Sequence, residues 1–83
     1  MNTSTPAIYN IIPLDGHWRM VVGDREFGRF ISESHAIRVA IETAHKAGRA
    51  NMWGAQVILH GTNRSSEIIW TYGRDPFPPT SFS

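Results

Sequence analysis

Only one stretch of this chain repeats its apolar residues at helical spacing. Ala36, Ile37, Ala40, Ile41, Ala44 and Ala47 recur with a period near 3.6 and predict an amphipathic helix. The stripe is mostly alanine, so a helix built on it can sit close to a sheet. Arg38, Glu42, His45 and Lys46 fall outside it. One helix can cover one face of one sheet, and that limit governs how the rest of the chain can bury itself.

The helix has readable ends. Ser32 is suited to be the N-cap, because its hydroxyl can accept a first-turn amide. Glu33 suits the positive end of the helix dipole. Gly48 is placed either to end the helix as a C′ residue or, if the helix runs on to Met52, to lie within it.

The remaining apolar segments read as strands. In "AIYNIIP", Ala7 to Pro13, Ile8, Asn10 and Ile12 share one face while Tyr9 and Ile11 share the other. Asp15-Gly16 follows, a pair that favours the positive φ angles of a type I′ turn and so predicts a two-residue hairpin. "HWRMVV", His17 to Val22, puts Trp18, Met20 and Val22 on one face and His17 and Arg19 on the other. Gly23-Asp24 makes a second turn into "REFGRF", where Gly28 signals a bulge or a close backbone approach. After the helix, "AQVILH" and "EIIWTY" read as two more strands around the turn cluster "GTNRSS", with Ile68, Trp70 and Tyr72 assigned to one face. The β-β-β-α-β-β order predicts an α+β fold: an antiparallel sheet with one helix packed on one face.

Length and composition bound this further. At 83 residues, a single domain over 7–79 is expected, with short tails at 1–6 and 80–83. There is no cysteine, which removes disulfides and thiolate metal sites. Net charge is +1, and Arg19, Arg25, Arg29, Arg38, Arg49, Lys46, Arg64 and Arg74 are spread without a run. A protein that binds nucleic acid by neutralising phosphates usually carries a denser basic face. "MNTSTPA" has neither the basic nor the apolar region of a signal peptide, and no stretch is apolar enough to span a membrane, so the expected location is cytoplasmic.

One helix leaves one sheet face bare. Assigning Tyr9, Trp18 and Trp70 to the bare face gives it large aromatic residues, and a second copy would then cover it. The expectation is a homodimer whose interface uses Tyr9, Trp18, Arg19 and Trp70 and which binds another macromolecule. The alternative is a nucleic-acid-binding protein using Arg19, Arg29, Arg49 and Arg64, with aromatic residues beside them for stacking.

The chemistry of an enzyme is hard to find. His17, His35, His45 and His60 lack metal-site spacings, so no metal and no cofactor are expected. His60 before Gly61 reads as a ring that hydrogen-bonds turn backbone. Asp75 before Pro76 reads as a turn residue whose carboxylate accepts backbone amides. Only if His60 and Asp75 met would a catalytic pair arise, and the reading is non-enzymatic. Phe77, between Pro76 and Pro78, is expected to pack back on the sheet edge and block further strand addition. Pro76 and Pro79 also have PxxP spacing.

Three segments in this order resemble the small bacterial proteins catalogued as domain of unknown function 2188: "IIPLDGHW" (Ile11 to Trp18), "GAQVILHG" (Gly54 to Gly61) and "YGRDPFPP" (Tyr72 to Pro79). The residues that carry the likeness include Asp15, Gly16, Trp18, His60, Gly61, Tyr72 and Asp75. Leu14 departs from the polar residue usual before Asp-Gly, and Arg49 to Trp53 reads as an insertion. The resemblance implies a small α/β fold, dimeric in form, and no assigned activity.

Overall fold

The computed structural model describes residues 7–51, 54–61, 63 and 65–78. The tails at 1–6 and 80–83 lie outside the described residues, as do Met52, Trp53, Arg64 and Pro79. The elements are β1 (Ala7–Leu14), β2 (His17–Val22), β3 (Arg25–Phe30), α1 (Glu33–Asn51), β4 (Ala55–His60) and β5 (Ser66–Thr71). The strands form one sheet in the order β3-β2-β1-β4-β5.

The first hairpin forms as its turn residues dictate. Asp15 and Gly16 have φ of 44° and 86°, the left-handed values that a two-residue type I′ turn demands. Tyr9 then faces Val22, Ile11 faces Met20 and Pro13 faces Trp18 across β1 and β2.

The sheet is mixed, which corrects the antiparallel expectation. β1 and β4 run parallel, with Tyr9 beside Val57 and Ile11 beside Leu59, while every other pair is antiparallel. The direction follows from the order of elements. The meander alternates, so β3 points the same way as β1. α1 carries the chain back, and β4 therefore starts again in the direction of β1. It takes the free side of β1, because β2 already holds the other. Pro13 has no amide to donate and lies just beyond the last β1–β4 pair.

α1 begins where the cap predicts: the His35 amide donates to Ser32 Oγ at 3.1 Å, satisfying one unpaired first-turn donor. It runs through Gly48 to Asn51. Its alanine stripe meets Tyr9, Ile11, Met20, Ala55, Val57 and Trp70, all buried together with Ile37 and Ile41. Trp18, Val22, Phe30 and Tyr72 pack around the rim of this core. A Cβ at Gly48 would overlap the ring of Tyr72, so the absence of a side chain there is what lets the last turns of α1 approach the sheet.

Two bulges interrupt the ladders. One falls on β3 opposite Met20 and Val21, the other on β5 opposite Val57 and Ile58. The second places Ile69 as an extra residue, so Ile68 and Trp70 point to opposite faces. Ile68 faces out and Trp70 faces in. This corrects the assignment of Ile68, Trp70 and Tyr72 to one side.

Candidate functional site: the uncovered sheet face

Alternation along each strand sets what lies opposite the helix. β1 contributes Ile8, Asn10 and Ile12, β2 contributes His17, Arg19 and Val21, and β4 contributes Gln56, Ile58 and His60. The registers align them in rows. One row crosses all five strands as Glu26, Val21, Asn10, Ile58 and Ile68. The next begins Arg29, Arg19, Ile12. The face therefore grades from charged on β3 to apolar on β5, where Ile68 is 55% exposed.

A carboxylate bridges the two arginines at the charged end. Arg29 Nε donates to Glu26 Oε2 at 2.9 Å, and Arg19 Nη1 donates to Glu26 Oε1 at 3.5 Å. The Arg29 hydrogen bond first, then the charges of Arg29 and Arg19, hold the Glu26 carboxyl below its ordinary pKa. Arg19 and Arg29 are direct cross-strand partners, a like-charge opposition that is unfavourable unless something stands between them. Among the described residues, Arg19 Nε and His17 Nε2 have no hydrogen-bond partner although little solvent reaches them.

At the centre, Asn10 Nδ2 donates to the Val21 carbonyl at 3.4 Å. That turns Oδ1 toward His60, whose Nε2 donates to it at 2.8 Å. His60 thus ties β4 to β1 through side chains, where a bond to turn backbone was expected; among the described residues its ring makes no such bond. The turn closes without it: the Gly61 amide donates to the Ser65 carbonyl at 2.8 Å. Beside the carboxyl end of β4 a shallow depression of about 390 Å³ is lined by Trp18, Glu33, His60, Ser65 and Glu67, among others.

Three of the four residues expected at an interface are elsewhere. Tyr9 and Trp70 are in the core, at 7% and 1% exposure, and Trp18 is half-buried on the helix side. Only Arg19 lies on the uncovered face. The aromatic residues went inward because the alanine stripe leaves depth that only large partners from the sheet can fill. The nucleic-acid set is also divided. Arg19 and Arg29 are neighbours, but Arg49 is in the last turn of α1, in the other layer, and Arg64 lies outside the described residues. The sequence reading names none of Ile58, Ile68, Glu26 and Asn10 as a site residue. Alternation in β1 already placed Ile8, Asn10 and Ile12 together, and that pattern was the available signal.

The C-terminal segment after β5 folds over the other end of the sheet. Asp75 Oδ2 accepts the Thr71 amide at 2.8 Å, as the Asp-Pro reading expects, and the Asp75 amide donates to the Thr71 carbonyl at 2.9 Å. Trp70 Nε1 donates to the Pro76 carbonyl at 2.9 Å. Phe77 stacks on His45 of α1, with centroids 3.9 Å apart, and meets Trp70 edge-on. Asp75 thus takes the outward amide of Thr71 at the end of the β5 edge, while Phe77, still 41% exposed, packs on His45 and Trp70. His60 pairs with Ser66 and Gln56 with Thr71, so His60 and Asp75 are separated by about 13 Å of strand and form no catalytic pair.

Among the described residues no helix is long and apolar enough to cross a membrane, and no group of three or more His, Asp or Glu could hold a metal ion. Comparison with family models, with curated proteins and with solved structures gives no match. The likeness to domain of unknown function 2188 accordingly stands on the three sequence segments alone.

Proposed function

We propose that this chain is a non-enzymatic interaction module that engages another macromolecule through the uncovered face of its sheet. One observation carries the reading. Ile68 stands 55% exposed on a strand, in line with Ile58 on a face that also carries Ile8 and Ile12 of β1, with no element of the described chain laid over it. Apolar residues grouped on an exposed sheet face mark contact surfaces more often than residues scattered singly do. The separation of His60 from Asp75 supports the non-enzymatic side of the reading. The homodimer expected from Tyr9, Trp18 and Trp70 loses those residues to the core, so a second copy becomes one outcome of the test rather than its premise.

The test is site-specific photo-crosslinking in the native cell. A benzophenone side chain is placed at Ile68, or at Arg38 on the exposed back of α1. Discrete adducts from position 68 and none from position 38 are the expected result. Equal labelling from both positions, or none from either, would sink the proposal. An adduct with a second copy would make the module a homodimer.

A further inference from the structure

We infer that the occupant of the uncovered face is a protein segment with an apolar stripe bordered on one side by carboxylates. The inference rests on the interaction-module reading and adds the chemistry of the partner.

The charge balance of the face points to it. Arg19 and Arg29 oppose each other in register and share a single carboxylate, Glu26. Two guanidiniums against one carboxylate leave one positive charge without a counter-charge among the described residues. Arg29 holds its side chain 68% exposed while bonded to Glu26 through Nε, so its terminal amino groups face solvent. The β2–β3 half thus offers donors and positive charge. The β4–β5 half offers Ile58 and Ile68. A partner that fits both halves at once is apolar on one side and acidic on the other.

Two other occupants fit less well. A second copy stacked face to face about a two-fold axis through β1 would lay Arg19 and Arg29 over Ile58 and Ile68 of its mate. The outer positions of β4 and β5 (Gln56, Ile58, His60, Ser66, Ile68 and Thr71) supply no carboxylate to meet them. Burying unpaired guanidiniums against isoleucine is costly. A single-stranded nucleic acid needs aromatic stacking platforms. Tyr9, Trp18, Phe30 and Trp70 all face the helix side instead.

The experiment is a titration of the ¹⁵N-labelled full chain at low salt with three probes. Two are synthetic amphipathic helices with the same leucine stripe, bordered on one side by Glu in one and by Lys in the other. The third is a single-stranded oligothymidine. The Glu peptide is expected to shift the amides of Arg19, Arg29, Ile58 and Ile68, with affinity falling as salt is added. Arg29→Glu, at an exposed site, is expected to weaken the Glu peptide about tenfold and to transfer binding to the Lys peptide. Equal binding of the two peptides, tighter binding of the oligonucleotide, or no effect of Arg29→Glu in a variant with unchanged Tm overturns the inference. If cross-links from Ile68 persist under any of these outcomes, the interaction face survives and only the acidic partner is lost. If the cross-links are absent as well, both are lost.

Discussion

Gly48 of α1 lies so close to the Tyr72 ring that a side-chain carbon at position 48 would overlap it. A helix interior normally prefers alanine to glycine by about 1 kcal/mol. Here the packing reverses that preference, because the neighbour is a rigid ring that also packs on His45 of the same helix. Gly48→Ala is expected to destabilise the fold by about 1–3 kcal/mol in urea unfolding, the usual cost of overpacking. Tyr72→Ala in the same chain should restore part of the loss. An unchanged or higher midpoint for the single variant would show that α1 can shift away from β5.

Asp75 accepts the outward amide of Thr71 at the end of the β5 edge. Asp75→Ala should cost about 1.5–3 kcal/mol, the range for hydrogen bonds to a charged group. The more direct readout is amide exchange: the Thr71 amide should exchange much faster in the variant, while the Ile11 and Val57 amides keep their order of protection. Unchanged exchange at Thr71 would mean that the edge is protected by something other than the carboxylate.

Glu26 titrates below its ordinary value because Arg29 and then Arg19 favour the charged carboxylate. A carboxyl with a depressed folded pKa adds stability above its unfolded pKa of about 4.5, and that contribution is lost as pH falls through the folded value. Arg29→Gln should move the Glu26 titration, followed by side-chain NMR, back up toward 4.5. A Glu26 titration identical in the two proteins would remove the ion pair from solution.

Tyr9 gives the opposite limb. Burial raises its phenol above 10.0, since the charged phenolate is disfavoured in the core. A raised folded pKa means stability intact below pH 10.0 and lost as pH rises through the folded value. Tyr9→Phe should leave stability at pH 7 within about 1 kcal/mol and flatten the alkaline loss. An alkaline limb of equal steepness in the variant would assign that loss to another group.

Local chemistry was legible in the sequence wherever one residue type answers one backbone need. The Asp15-Gly16 turn, the Ser32 cap and the Asp75 turn are each legible because a positive φ or an unpaired amide selects those residues. The split of β1 into Ile8, Asn10 and Ile12 against Tyr9 and Ile11 was equally plain. What sequence does not carry is which of two apolar faces the helix chooses. Tyr9, Trp18 and Trp70 look like surface-seeking aromatics until Val57, Met20 and the alanines of α1 are seen to form the cavity they fill. The β5 bulge hid Ile68 in a different way, since one extra residue reverses parity and no residue of "EIIWTY" announces it. The Gly48 position was open between two readings because the reason for the glycine, the Tyr72 ring, sits more than twenty positions away.

The parallel seam between β1 and β4 also has a consequence for biosynthesis. The amino-terminal meander can zip up as soon as it leaves the ribosome, since its turns are two residues long. Its inner surface, with Ile11 and Met20, nevertheless stays open until α1 has crossed it. For that interval the nascent chain presents a sticky three-stranded ribbon, and synthesis of the last third completes its closure.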